Sequence, residues 1–263
     1  METPVGISCV AAVALLLAAA PAFADHRPVS CTAPQSVVRL NAALPNTARA
    51  IRHGREIVIV AIGSSSTQGV GASDKAHTYP AVLAEELRRR WPRLAVTVVN
   101  KGVGGQVAEQ MLARFETDIM PYRPQLVIWQ IGSNSTLKNT SIESYAATIR
   151  SGLRRLKAAH VDVVLMDPQY APRVIAKPLH QRIIATIGAA ANDFKVAVFH
   201  RFDVMRLWVT SGQHRMEDVI SRDRLHMNDV SYGCIARLLA DSLDAAARAT
   251  PPPPAEAAAA ARF

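Results

Sequence analysis

With 263 residues, 49% of them apolar and 19% charged, the chain is long enough for a substantial core and too apolar for general disorder. Its formal charge of +9 suits anionic surroundings, but the basic residues are scattered and the one run of three, Arg88–Arg90, falls at an expected helix end, so no nucleic-acid partner is expected. No Cys/His cluster has metal-site spacing, and nothing beyond the first two dozen residues is long and apolar enough to span a bilayer; neither a metal nor another cofactor is expected.

Residues 1–24 stand apart. Val5–Ala24 carries no charge and ends Ala22-Phe23-Ala24, a small-x-small pattern ahead of Asp25, which predicts a secretory signal cleaved after Ala24. The n-region lacks Lys and Arg, so an uncleaved membrane anchor is the alternative. Loss of Glu2 with the signal would raise the formal charge from +9 to +10, and association with an anionic envelope is in keeping with that sign. Cys9 would leave as well. The remaining Cys31 and Cys234 either bridge, tying an N-terminal arm to the last helix, or leave Cys234 as a buried thiol beside Ile235 and Leu238.

Residues 25–55 read as an irregular arm with a short helix near Val37–Ala43, ahead of a domain over 56–248. That domain opens with Ile57–Ile62, a continuous apolar, β-branched run of the kind buried on both faces of a parallel sheet. A helix is expected from Tyr79-Pro80 to Arg90, a second strand over Leu94–Asn100, a helix over Gln106–Phe115, and a third strand over Gln125–Ile131. Then come a helix over Ile142–Ala159 capped by Ser141, a strand over Val161–Met166, a helix over Leu179–Phe194, and a strand over Lys195–His200. Residues 201–222 read as a short helix plus loop, and Asp229–Ala247 as the last helix. The Pro- then Ala-rich tail over 249–263 is expected to be disordered. Five strands alternating with helices predict a three-layer α/β/α sandwich around a five-stranded parallel sheet, of flavodoxin-like type.

In such a sheet the strand exits share one edge, where ligands bind. Ser65 follows the first strand, Gly105 the second and Asn134 the third; Asp223-Arg224-Leu225-His226 precedes the last helix. An Asp three residues before a His on a tight loop can turn back to accept from Nδ1, leaving Nε2 to take a serine proton. The N–H groups of Ser65 and Gly105 and the Asn134 amide are placed to hold an oxyanion, and Gly at 105 lets backbone approach a substrate closely.

These blocks resemble the SGNH hydrolases, the GDSL-like esterases and lipases. Gly63-Ser64-Ser65, Asn100 to Gly105, Gly132-Ser133-Asn134 and Asp223 to His226 match that family's four blocks in order, and the resemblance covers residues 56–245. It implies Ser65 as nucleophile, His226 as base, Asp223 as its orienter, and Ser65, Gly105 and Asn134 as oxyanion donors. Two positions depart: Ser64 stands where Asp usually precedes the nucleophile, and Ser135 where an acid usually follows the Asn.

The expected function is therefore that of an exported serine esterase, periplasmic or secreted. It would hydrolyse small-molecule or polysaccharide esters, such as carbohydrate O-acetyl groups or lipid acyl esters, through an acyl-enzyme. The rivals are an inactive binding module on the same fold and an anion-binding domain; the latter has a Gly/Ser turn but no Gly-Lys-Ser/Thr ending. A Gly-x-Ser-x-Gly elbow is a weak reading, since position 67 is Thr. Specificity is expected in the loops 168–177 and 201–222, with Tyr170 and Trp208 as candidates to line the substrate cleft.

Overall fold

The computed structural model describes residues 30–54 and 56–252, so the expected signal over 1–24 and most of the expected tail lie outside the described residues. Five strands, β1 (Ile57–Gly63), β2 (Val96–Gly102), β3 (Leu126–Gln130), β4 (Asp162–Met166) and β5 (Ala197–Phe199), form one sheet in the order β2-β1-β3-β4-β5. Every neighbouring pair is parallel. β1 is apolar throughout because both its faces are covered: Ile57, Ile59 and Ala61 enter one core, Val60 and Ile62 the other.

Helices supply the outer layers. In the N-terminal arm lie α1 (Gln35–Val38) and α2 (Pro45–His53), and a single turn, α3 (Ser65–Gln68), leaves β1. Next come α4 (Tyr79–Arg90), α5 (Ala108–Ala113), α6 (Phe115–Asp118), α7 (Ser133–Leu137) and α8 (Ile142–Ala158). The chain ends with α9 (Pro172–Ile175), α10 (His180–Phe194), α11 (Arg201–Thr210), α12 (Met216–Val219) and α13 (Asp229–Ala249). Apolar stripes of α4, α11 and α13 fill the first core; those of α5, α6, α8 and α10 fill the second.

Local chemistry accounts for where the elements depart from the sequence pattern. β2 begins two residues late because Leu94 N–H closes a turn onto Trp91 O after α4. The helix expected over 106–115 is broken at Arg114, whose guanidinium reaches back to Gly63 O (3.1 Å) and Lys101 O (2.8 Å) and so holds the exits of β1 and β2 together. The arm is more ordered than expected. Pro45 opens α2 and Gly54, in the left-handed region, ends it. Val38, Leu40 and Leu44 are buried in the first core, and Leu44 N–H donates to Thr250 Oγ1 beyond α13.

Cys31 and Cys234 are bonded, with Cα atoms 4.9 Å apart across 203 residues of chain. The bond fastens the arm to α13. Closing so long a loop restricts the unfolded chain and contributes about 3–5 kcal/mol. Protein made in an oxidising compartment should therefore gain the mass of two hydrogens on reduction and lose a corresponding share of its stability to urea. Two thiols free to alkylate in the unreduced, unfolded chain would contradict the bond.

Candidate active site

The turn after β1 is built from neutral hydrogen bonds. Gln130 Oε1, at the end of β3, accepts from Ser64 N–H (3.0 Å), Ser64 Oγ (3.1 Å) and Thr67 Oγ1 (3.2 Å). Ser64 thus anchors the turn to the central strand without a carboxylate. α3 lies directly on the end of β2: a Cβ at Gly102 would fall on the backbone N of Gln68, so only glycine fits there. Ser65, at the first position of α3, is left half-buried with its hydroxyl on the shared edge of the sheet.

The loop before α13 is closed by an antiparallel bridge between Ile220 and Met227 and by Ser221 N–H donating to His226 O (2.8 Å). Within it, Asp223 Oδ1 accepts from Ser221 Oγ, Leu225 N–H and His226 N–H, each at 2.9 Å. Asp223 Oδ2 faces His226 Nδ1, and His226 Nε2 lies 2.7 Å from Ser65 Oγ. Partial burial alone would raise the Asp223 carboxyl. The hydrogen bonds from the His226 ring, the two backbone N–H groups and Ser221 outweigh it and hold the group well below the usual carboxylate range. A carboxylate can only accept, so Nδ1 carries the proton and Nε2 of the neutral ring turns its lone pair to the serine.

The loop after β2 passes beside the serine: a Cβ at Gly104 would lie 4.0 Å from that of Ser65. Gly105 adopts φ +76°, and its N–H finds no acceptor among the described residues. α7 and the residue that ends it, Lys138, clamp this loop at two points. Asn134 Nδ2 donates to Gln106 O and Lys138 Nζ to Gly105 O, both at 2.9 Å. One hydrogen of the Asn134 amide is held in this way and the other remains for a ligand. Ser135, in the place of the expected acid, is buried with its hydroxyl unpartnered among the described residues.

One candidate for the substrate cleft has other surroundings. Trp208 is a correction: it is fully buried on α11, donates from Nε1 to Thr32 O (2.8 Å) and meets His214 edge-on, so it holds the arm and does not line a cleft. Its spacing from Phe202 and Met205, at i, i+3 and i+6, was the available signal for a core face. Tyr170 is half-buried, packed edge-to-face on Phe202 with ring centres 5.2 Å apart. A groove of about 1030 Å³ beside Asn46, Lys157 and Lys195 borders the starts of β4 and β5 and contains neither Ser65 nor His226. Among the described residues no cluster of His, Cys, Asp and Glu has a metal-binding arrangement. Gln130, Gln169 and Arg201, which organise the floor of the site, escaped the sequence reading.

The model of the Non-GDSL lipase-like family matches residues 30–249, taking in the arm as well as the sandwich. The acetylxylan esterase of Geobacillus stearothermophilus is 29% identical over 193 residues, covering 66% of this chain and 85% of that protein. The thioesterase 1/protease 1/lysophospholipase L1 of Escherichia coli strain K12 is 27% identical over 144 residues, covering 55% of this chain and 66% of the other. In fold, the chain is similar to a two-domain esterase active on acetylated mannans, with a TM-score of 0.70 at 20% identity over 81% of this chain. It spans 56% of the length of that protein.

Proposed function

The chain belongs to the non-GDSL lipase-like family and is a serine hydrolase of ester bonds; from that premise we propose that it works through an acyl-enzyme on Ser65 and is exported to the periplasm or the medium. One observation carries the mechanism: the unbroken relay from Ser65 Oγ to His226 Nε2, at 2.7 Å, and from His226 Nδ1 to Asp223.

As Ser65 Oγ attacks the ester carbonyl, its proton passes to His226 Nε2. The charge that builds on the carbonyl oxygen meets the N–H groups of Ser65 and Gly105 and the free hydrogen of the Asn134 amide. His226 then returns the proton to the departing alcohol. Water, deprotonated by the same nitrogen, attacks the acyl-serine, and collapse of the second tetrahedral adduct restores Ser65 and releases the acid. Asp223 orients the ring and stabilises the imidazolium formed in each half-reaction.

The substrate class is an acetyl ester of a polysaccharide. The acetylxylan esterase, matched over most of its own length, supports this reading, and the thioesterase 1/protease 1/lysophospholipase L1 of E. coli supports a lipid acyl ester as the second. Hydrolysis of nitrophenyl esters from acetate to palmitate, alongside release of acetate from acetylated xylan, separates the two. Acetate preference together with acetate release is expected; a preference for palmitate would overturn the first reading. Export is supported by the uncharged segment Val5–Ala24 and by a cystine of the kind oxidising compartments permit. N-terminal sequencing of the protein recovered outside the cytoplasm should begin at Asp25.

A further inference from the structure

Gln169 lies just beyond β4, in a stretch expected to be a specificity loop, yet it is 1% exposed. Its Oε1 accepts from Ser133 Oγ (2.7 Å), from the Arg201 guanidinium (3.1 Å) and, at the limit of a hydrogen bond, from Ser66 Oγ (3.4 Å). Its Nε2 donates to Leu225 O (3.0 Å). Each of three partners is the immediate sequence neighbour of a site residue: Ser66 follows Ser65, Ser133 precedes Asn134 and Leu225 precedes His226. A single buried amide therefore touches the three loops that carry the nucleophile, an oxyanion donor and the base.

The orientation of that amide is dictated by its neighbours. Arg201 can only donate and the Leu225 carbonyl can only accept, so Oε1 must face the first and Nε2 the second. Arg201 is itself fully buried and donates from Nε to Asp167 O (3.0 Å), which ties the exits of β4 and β5. A guanidinium against the amide oxygen makes that bond charge-assisted and strengthens the donor at the other end of the amide.

We propose that Gln169, oriented by Arg201, is a positioning residue that fixes Ser65, Asn134 and His226 relative to one another for the ester hydrolysis assigned to them above. The role rests on that assignment. It acts through geometry alone, since Gln169 reaches each of these residues only through its neighbour. A misplacement of about 1 Å among such groups costs about 100-fold in rate.

Gln169→Met keeps the length of the side chain and removes all four bonds; Gln169→Glu keeps the acceptor for Arg201 and Ser133 but puts an acceptor against Leu225 O. Both should lower kcat by about 100-fold with KM within about threefold of wild type, while a fluorophosphonate still titrates one site per folded chain, only more slowly. Ser133→Ala, which removes one bond and adds no buried charge, should lower kcat by about 10-fold and add little when combined with Gln169→Met, because both act on one unit. A merely structural role would lower the melting temperature and the titratable fraction and leave kcat per titrated site unchanged. That result in Gln169→Glu, or in Ser133→Ala should the Gln169 variants fail to fold, would overturn the proposal. Wild type that neither labels nor hydrolyses esters would overturn the assignment of Ser65 and the positioning role with it; loss confined to the variants cannot be mistaken for that.

Discussion

Ser65→Ala is expected to lower kcat by at least about 10,000-fold and to end labelling by a fluorophosphonate, with the fold intact. The residue opens a turn whose architecture belongs to its neighbours: Ser64 and Thr67 bond to Gln130, and among the described residues the Ser65 hydroxyl hydrogen-bonds to His226 alone. Removing its hydroxyl therefore leaves the turn standing and takes away only the proposed nucleophile. Ser64→Ala loses one neutral bond to Gln130, and Ser66→Ala loses the long bond to Gln169, so both should keep labelling and lose no more than about 10-fold in rate. His226→Ala should fall to the same floor as Ser65→Ala, and the double variant should fall no further, because serine and base act as one unit. Steady-state kinetics on a nitrophenyl ester, with the melting temperature of each variant, checks the set.

Asp223→Asn should be nearly as damaging, for a reason specific to this loop. Two groups that can only donate, the N–H groups of Leu225 and His226, point at Asp223 Oδ1, with the Ser221 hydroxyl as a third donor beside them. An asparagine must offer its oxygen to them, which turns its NH2 group onto His226 Nδ1. The ring then has to accept at Nδ1 and carry its proton on Nε2, facing Ser65 with a hydrogen where the lone pair is needed. The expected loss in kcat is about 10,000-fold, with KM and melting temperature close to wild type. Asp223→Ala would instead release the three donors and destabilise the loop as well, so the Asn variant is the cleaner test. Retention of more than about a tenth of the activity in Asp223→Asn would contradict the assigned tautomer.

What the sequence made legible follows from how the information is spread along the chain. A strand buried on both faces is apolar along the buried run, so Ile57–Ile62 and Leu126–Trp129 announce themselves without reference to anything distant. The residues at their tips could be read because strand exits in a parallel sheet gather on one edge. The arm carried no such signal: the helix expected near Val37–Ala43 ends at Val38, and Leu40 and Leu44 enter the first core from chain that is neither helix nor strand. The cystine could be named only as one of two alternatives, because the path of the arm determines whether Cys31 reaches Cys234. Trp208 misled because its surroundings read as loop, whereas α11 turns it into the core.

Gln130, Gln169 and Arg201 were invisible for a different reason. Each is a single polar residue bonded to chain remote in sequence, Gln130 to the turn after β1, Arg201 to the loop after β4 and Gln169 to four separate segments, and neither periodicity nor spacing reports such a meeting. Gln130 explains how the site accommodates Ser64. Ser64 is held by the Gln130 amide in place of an acid's hydrogen bonds, while Gln169 gathers the flanks of the other loops. The family's name for lipase-like chains outside the Gly-Asp-Ser-Leu pattern agrees with Gly63-Ser64-Ser65.

The most direct test of the central claim is to map the fluorophosphonate adduct on the wild-type protein by peptide mass spectrometry. Ser64, Ser65 and Ser66 are consecutive, so the fragment ions must place the added mass within the run. One adduct per chain is expected, on Ser65, and none in His226→Ala. An adduct on Ser64 or Ser66, or a folded wild-type chain that takes up none while hydrolysing esters, would contradict the claim.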